Sequence, residues 1–170
     1  LVAGTMLISI LTCFIKLKLD RPYLVLLFSL LAFIIWNWYP AKVFMGDTGS
    51  TFLAATNIGL ISLSKNYFEA LGLLLILSPC LIDACSCVIR RLFYKQNIFK
   101  AHRHHLYQRL VLSGIDQRKI SIIYISSSLA IAISVLYLNF LYTFFMVIIV
   151  ACLGFYLDQN CSLKFKDAIK

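Results

Sequence analysis

The sequence contains little charge, and most of that charge is of one sign. Only 14 % of the 170 residues are charged, and 7 Asp and Glu stand against 16 Lys and Arg. Together with 61 % apolar residues, this excludes an ordinary soluble domain and indicates an integral membrane protein. The formal net charge of +9 does not by itself indicate nucleic-acid binding, because the distribution of basic residues matters more than their sum. We therefore expect the lipid bilayer as a partner and no nucleic acid.

The sequence also lacks an initiator methionine and the pattern of a signal peptide. It begins at Leu1 directly in apolar sequence, with no basic segment before it and no small-residue cleavage site after it. No internal repeat and no low-complexity segment is present. We expect residues 1–170 to be the C-terminal part of a single polytopic membrane domain whose N-terminal half is missing from this sequence.

Cysteine is present, but its arrangement suits neither a disulfide nor a metal site. Five of the six cysteines lie in apolar stretches. Cys85 and Cys87 would point about 200° apart on a helix, so they would not readily share a metal ion. We interpret the cysteines as small, buried apolar residues.

Apolar stretches separated by short polar turns predict an all-α integral membrane bundle of about six transmembrane helices. The third stretch is short, so we expect it to borrow residues from the loop before it. Pro22 suits the first position of the second helix, and Pro79 should kink the fourth. One long hydrophilic stretch, at about residues 90–119, follows the fourth. The expected spans are residues 1–17, 23–38, 51–63, 67–89, 120–138 and 140–157.

Lysine and arginine predict the orientation of these spans. With alternating spans, the loops at about residues 39–50 and 90–119 share one side with the C-terminal tail. That side holds twelve Lys and Arg, and the other side holds four. The positive-inside rule places the richer side in the cytoplasm. The two loops can therefore build one site.

The first of these loops, PAKVFMGDTGS at residues 40–50, is polar and rich in glycine. Its carboxylate at Asp47, with Lys42 before it and the hydroxyls of Thr48 and Ser50 after it, has the ingredients of a site for a metal-bound phosphate. Glycine lets a backbone approach a ligand closely, and a helix N-terminus favours anions. The alternative is an interfacial turn in which Asp47 or Thr48 caps the next helix. The residues alone leave both interpretations open.

The second loop carries a cluster of histidines and basic residues within FKAHRHHLYQRL, residues 99–110. Arginine and histidine suit a pyrophosphate, because both donate charge-assisted hydrogen bonds to its oxygens. A zinc site and a basic loop lying on anionic lipid are the alternatives. The cluster consists of Lys100, His102, Arg103, His104, His105 and Arg109.

Asp83 lies inside the fourth predicted span, shortly before Arg90 and Arg91. A carboxylate within a membrane helix is costly and by default functional. Asp83 could instead form an ion pair with Arg90, which lies seven residues later on nearly the same helix face. A second structural alternative is that Asp83 supports the basic loop.

Three segments resemble the last three signatures of the polyprenyl-phosphate N-acetylhexosamine-1-phosphate transferases, a bacterial family of glycosyl transferase family 4. These are PAKVFMGDTGS, PCLIDACSCVIRRL and AHRHHLYQRLVLSG, in the family's order, and they cover the C-terminal half of a member. The H-x-H-H form resembles the branch that begins O-antigen chains of lipopolysaccharide, rather than the peptidoglycan branch. The resemblance implies a multi-pass enzyme of the bacterial inner membrane. It would transfer the sugar phosphate of a UDP-N-acetylhexosamine to undecaprenyl phosphate and release UMP, with Mg²⁺ as cofactor or Mn²⁺ in its place.

The resemblance also implies roles for individual residues. Asp47 matches the family's magnesium-binding, catalytically required aspartate. His102, His104 and His105 match its histidine motif, which binds the phosphates of the nucleotide sugar. We add Lys42, Arg103 and Arg109 as further candidates for binding phosphate. We predict that Thr48, Asp83, Arg90 and Arg91 support the site.

One departure from the family is serious. An aspartate pair and an asparagine–aspartate motif of earlier cytoplasmic loops are absent, and upstream of Asp47 the only acidic residue is Asp20, on the opposite side. We therefore expect the 170-residue piece alone to be inactive. The alternatives to the transferase are a non-catalytic membrane subunit that binds divalent metal or anionic lipid, and a zinc-binding membrane protein.

Overall fold

A computed structural model describes residues 1–97 and 104–165 of the chain. All regular structure in these residues is helical, and the predicted all-α class is confirmed. The eight helices are α1 (Val2–Leu17), α2 (Pro22–Asn37), α3 (Gly46–Ile61), α4 (Tyr67–Leu75), α5 (Ser78–Phe93), α6 (Leu106–Leu112), α7 (Gln117–Tyr137) and α8 (Phe140–Asn160).

Proline and the polar loop set several helix boundaries as the sequence predicts. Pro22 is the first residue of α2, where its missing N–H costs nothing. α3 begins at Gly46, so it takes its first turn from the polar loop. The predicted fourth span is broken into α4 and α5, which meet at 74°. Pro79 explains the position of the break, since its ring would clash with the carbonyl of Leu75, the last residue of α4.

The helices differ in their capacity to cross a bilayer. Among the described residues, α7 and α8 are long and apolar enough to do so, and the bent pair α4–α5 makes a third candidate. α1 and α2 are apolar but have 16 residues each. At 1.5 Å per residue they reach about 24 Å, which is short of the ~30 Å hydrocarbon core. The predicted number of six spans stays a prediction.

Helix α1 lies at the centre of the bundle and packs against α2, α3, α4 and α7. Its residues Ala3, Ile10 and Cys13 belong to the main hydrophobic core. Gly4 permits the close approach to α7, because a Cβ atom there would lie 2.4 Å from the Cδ1 atom of Ile125. α1 therefore packs against both helices that flank the first polar loop and against α7, which follows the second.

A buried polar contact sets the position of α3 against α1. The hydroxyl of Ser9 donates a hydrogen bond of 3.2 Å to the side-chain oxygen of Asn57, and both residues are fully buried. The amide nitrogen of Asn57 also contacts the sulfur of Met6 at 3.8 Å. Such a contact favours one rotation of α3, and α3 carries Asp47 in its first turn. All six cysteines are free.

Candidate functional site

The loop between α2 and α3 folds back onto the end of α2. The backbone N–H groups of Lys42 and Val43 donate to the carbonyl of Trp36 at 2.9 and 3.2 Å. The side chain of Asn37 donates to the carbonyl of Val43 at 2.8 Å. The ammonium of Lys42 lies 5.2 Å from the centre of the Trp36 ring, within the range of a cation–π contact. Lys42 is therefore at the exit of α2, at the same end of the bundle as the start of α3.

Asp47 is exposed in the first turn of α3. The turn is entered through Gly46, whose φ of 64° is a left-handed conformation that favours glycine. Met45 is the N-cap residue of α3, and no side chain forms a capping hydrogen bond there. The alternative in which Asp47 or Thr48 caps the helix is therefore wrong. The carboxylate of Asp47 forms no hydrogen bond or ion pair with a residue in the described ranges. It is available to a ligand.

The second predicted element forms a short helix, α6, that begins directly after His105. The backbone N–H of His105 donates to the side-chain oxygen of Gln108 at 3.2 Å, which closes the first turn. His104 and His105 therefore lie at the N-terminal end of α6. Lys100, His102 and Arg103 fall outside the described residues.

Asp83 holds the N-terminus of α6 in place. Its buried carboxylate accepts hydrogen bonds from the backbone N–H groups of Leu106 (2.7 Å) and Tyr107 (3.4 Å) and from the hydroxyl of Tyr124 (2.8 Å). The Nδ1 atom of His105 lies 3.7 Å from the same carboxylate. Burial and the negative charge of Asp83 raise the pKa of the Tyr107 phenol above its ordinary value. Asp83 thus supports the basic loop, and Arg90 has a different partner.

That partner is Asp158, which is not among the site residues predicted from the sequence. Asp158, near the end of α8, forms ion pairs with Arg90 of α5 and Arg109 of α6. Arg91 donates to the backbone carbonyl of Asn97. The sequence held one signal for Asp158, because it is a carboxylate directly after the apolar span predicted at residues 140–157. The role of Arg109 as a phosphate ligand stays a prediction, and the structure places it in this ion pair.

A cavity of about 550 Å³ joins the two predicted loops. The first loop contributes Trp38, Tyr39 and Phe44, and α6 contributes Tyr107 and Gln108. The guanidinium of Arg118, at the start of α7, also lines the cavity and lies 5.0 Å from the centre of the Tyr39 ring. Asp47, three residues after Phe44, and His105, two residues before Tyr107, are outside its lining. The structure thus brings together the two segments, which are more than 60 residues apart in the chain.

The described residues contain no group of three or more His, Cys, Asp or Glu side chains that could hold a metal ion by themselves. Magnesium does not need such a group. It retains several waters and is bound by one or two carboxylates together with substrate phosphates. The exposed oxygen donors of Asp47 fit one position in such a coordination shell. Among the described residues, Asp47 would therefore supply one carboxylate to such a shell.

Known proteins resemble parts of this chain. Residues 1–65 match the family model described as glycosyl transferase family 4. The chain is 37 % identical over 100 residues to a protein of Bacillus subtilis named as a probable undecaprenyl-phosphate N-acetylglucosaminyl 1-phosphate transferase. That alignment covers 56 % of this chain and 28 % of the relative.

Two further relatives are named phospho-N-acetylmuramoyl-pentapeptide-transferase. The protein from Prochlorococcus marinus is 39 % identical over 99 residues, which cover 52 % of this chain and 25 % of the relative. The protein from Fervidobacterium nodosum is 36 % identical over 117 residues, which cover 66 % of this chain and 36 % of the relative. No solved structure matches the chain.

The chain thus spans between about a quarter and about a third of the length of these relatives. The family match covers α1, α2 and α3, and therefore includes the loop with Asp47. By name, the relatives are an N-acetylglucosaminyl 1-phosphate transferase and phospho-N-acetylmuramoyl-pentapeptide-transferases. The match of residues 1–65 and these relatives support the resemblance to glycosyl transferase family 4 that the motifs predict.

Proposed function

We propose that the gene product containing this chain transfers an N-acetylhexosamine 1-phosphate from a UDP-sugar to undecaprenyl phosphate. An oxygen of the lipid phosphate forms a bond to the β-phosphorus of the donor. The bond from that phosphorus to the oxygen bridging to the α-phosphate breaks, and the electron pair leaves on UMP. The observation that carries the proposal is the meeting, at one cavity, of the loop that leads to Asp47 and helix α6, which directly follows His104 and His105.

The cavity has the chemistry expected for a nucleotide. Trp38, Tyr39 and Phe44 offer aromatic faces against which a base can stack. Gln108 provides an amide for hydrogen bonds, and Arg118 provides a positive charge. An apolar pocket with a few converging polar groups is the usual form of a small-molecule site. We assign the nucleoside of the donor to this cavity, with its diphosphate directed toward Asp47, Lys42 and the histidines of the loop.

Phosphoryl transfer requires mainly positioning and the neutralisation of charge on the phosphate oxygens. Mg²⁺, or Mn²⁺ in its place, would supply that neutralisation when bound. Asp47 would hold the ion, and its exposed position in the first turn of α3 leaves it accessible to the diphosphate. Lys42 and the histidines at 104 and 105 would bind phosphate oxygens that the ion does not reach.

We also propose on which side of the membrane the reaction takes place. Twelve of the 16 Lys and Arg lie on the side of the two loops by the predicted topology, so the site faces the cytoplasm of a bacterial inner membrane. A lipid acceptor explains why the site lies at the end of apolar helices. The H-x-H-H motif favours the start of an O-antigen-like lipid-linked polysaccharide as the biological step.

The test uses membranes of cells that express the complete gene, supplied with undecaprenyl phosphate, Mg²⁺ and a panel of UDP-N-acetylhexosamines. We expect one donor to give UMP and a lipid-linked sugar diphosphate. Asp47→Asn should lower turnover by about a hundredfold or more, because it removes a group needed for transition-state charge. The matched control is Asp20→Asn, an exposed carboxylate in the turn between α1 and α2.

Two results would oppose the proposal. If no donor gives UMP, the proposed transferase activity is wrong. If Asp47→Asn and the wild type turn over equally fast, the role assigned to Asp47 is wrong. A folded protein without turnover that binds divalent metal or anionic vesicles would favour the non-catalytic membrane subunit.

A further inference from the structure

Three helices meet at the carboxylate of Asp158. Asp158 lies near the C-terminal end of α8, and it pairs with Arg90 in the last turn of α5 and with Arg109 in α6. The side chains of Asp158 and Arg109 are only 7 % and 4 % exposed. Removal of one partner from a buried ion pair leaves an uncompensated charge, which is strongly unfavourable. Without Asp158, the two arginines would also repel each other.

Arg109 extends this contact to the backbone of the histidine motif. Its Nε atom donates to the carbonyl of His104 at 3.2 Å. Its Nη1 atom donates to the hydroxyl of Ser162 at 3.0 Å and to the carbonyl of Leu163 at 2.8 Å. All three nitrogens of the guanidinium therefore bind groups of the protein. Arg109 connects the chain before α6 to the chain after α8.

Phe165 adds an apolar contact at the same place. It is buried, its ring stacks on Tyr94 at 5.5 Å, and it lies 5.2 Å from the ring of His104. The guanidinium groups of Arg90 and Arg109 lie 5.8 and 5.7 Å from the centre of the Phe165 ring. The segment after α8 thus packs on His104 and is tied to it through Arg109.

We infer that Asp158 is a positioning residue for the reaction, which fixes residues 104–112 through Arg90 and Arg109. The inference rests on the proposed function in one respect, namely that His104 and His105 bind the donor. Asp158 has no contact with the cavity of the two loops, so it acts through Arg109 and the carbonyl of His104. A small displacement of groups that bind substrate is enough to lower activity by about a hundredfold.

The experiment compares Asp158→Asn with Asp20→Asn in the purified complete gene product. Both substitutions remove one carboxylate charge at nearly constant volume, but Asp20 is exposed and lies in the turn between α1 and α2. The first measurement is hydrogen–deuterium exchange of the α6 backbone amides, which does not depend on activity. The second is the KM for the UDP-sugar and, separately, for undecaprenyl phosphate.

We expect faster exchange of the amides of α6 in Asp158→Asn and wild-type exchange in Asp20→Asn. The KM for the UDP-sugar should rise by about tenfold to a hundredfold, with the KM for undecaprenyl phosphate unchanged. Asp158→Glu, which keeps the charge, should recover part of both effects. It also serves as the second variant if Asp158→Asn does not fold.

Unchanged exchange in α6 overturns the inference, whatever the activity. Faster exchange with an unchanged KM for the UDP-sugar overturns the role in the reaction. An equal change of both KM values and of kcat indicates general destabilisation and also overturns it. If the wild type transfers no sugar phosphate, the proposed function fails, and the exchange comparison alone decides whether Asp158 holds the loop.

Discussion

Replacement of Asp83 by asparagine should detach the first turn of α6 from the helical bundle. The two carboxylate oxygens receive donors from two different elements. Oδ1 accepts from the backbone N–H of Leu106, and Oδ2 accepts from the N–H of Tyr107 and the hydroxyl of Tyr124. Asparagine offers one oxygen and one NH₂ group. Whichever way its amide is turned, the NH₂ group faces at least one buried donor.

The expected cost follows from these contacts. A hydrogen bond to a charged group contributes about 1.5–3 kcal/mol, and an unsatisfied buried donor costs about 1–3 kcal/mol. Asp83→Asn retains some of the bonds, so we expect a loss of about 2–3 kcal/mol in the free energy of unfolding. For a chain of this size, about 2–4 °C of Tm corresponds to each kcal/mol, which gives a fall of about 4–12 °C.

The assay is thermal unfolding of the detergent-solubilised protein, with Asp116→Asn as the matched control. Asp116 is the exposed N-cap of α7 and accepts from the N–H of Arg118 at 2.9 Å. Asparagine caps helices as well as aspartate does, so the control should melt with the wild type. Tyr124→Phe, which removes one donor and leaves the charge, should have a smaller effect. If Asp83→Asn melts at the temperature of the control, the assignment of Asp83 as the support of α6 is wrong.

Two further predictions concern α3, the helix that carries Asp47. Gly46→Val should lower both the free energy of unfolding and the rate of sugar-phosphate transfer, because a left-handed φ of 64° costs a residue with a side chain about 1–2 kcal/mol. Gly46→Asn should be tolerated, since asparagine adopts this conformation more readily. Tm and turnover measure the difference, and equal values for the two variants would contradict the prediction. Asn57→Ala should lower the free energy of unfolding by about 0.6–1.7 kcal/mol, the range for polar contacts within membranes. In combination with Ser9→Ala its effect should be less than additive, since both remove the same bond, and a double-mutant cycle in Tm checks this.

The helices of the bundle were predictable because their signals are local. Apolar runs, Pro22 and Pro79 place α1, α2, α7, α8 and the break between α4 and α5 close to their observed bounds. The proximity of the two polar loops followed from the alternation of spans and the count of Lys and Arg. None of these signals depends on which side chains are in contact.

Helix α6 and the partners of the buried charges were not predictable in the same way. α6 lies within a hydrophilic stretch, and its N-terminus is held by Asp83, 23 residues earlier in the chain. Arg90 was paired with Asp83 as one alternative because helical spacing brings them to one face. The structure pairs it with Asp158, 68 residues later, because α8 packs on α5. Sequence spacing within one helix carries no information on such a partner.

The dependence of α6 on distant carboxylates has a consequence for biosynthesis. With seven residues, α6 is well below the length of about 12 at which an isolated helix becomes even marginally stable in water. Asp83 is made before it, but Asp158 leaves the ribosome almost 50 residues after Arg109. This end of the bundle therefore reaches its final shape only after α8 has been made, and a nascent chain halted earlier in translation would carry His104 and His105 without the contacts that orient them.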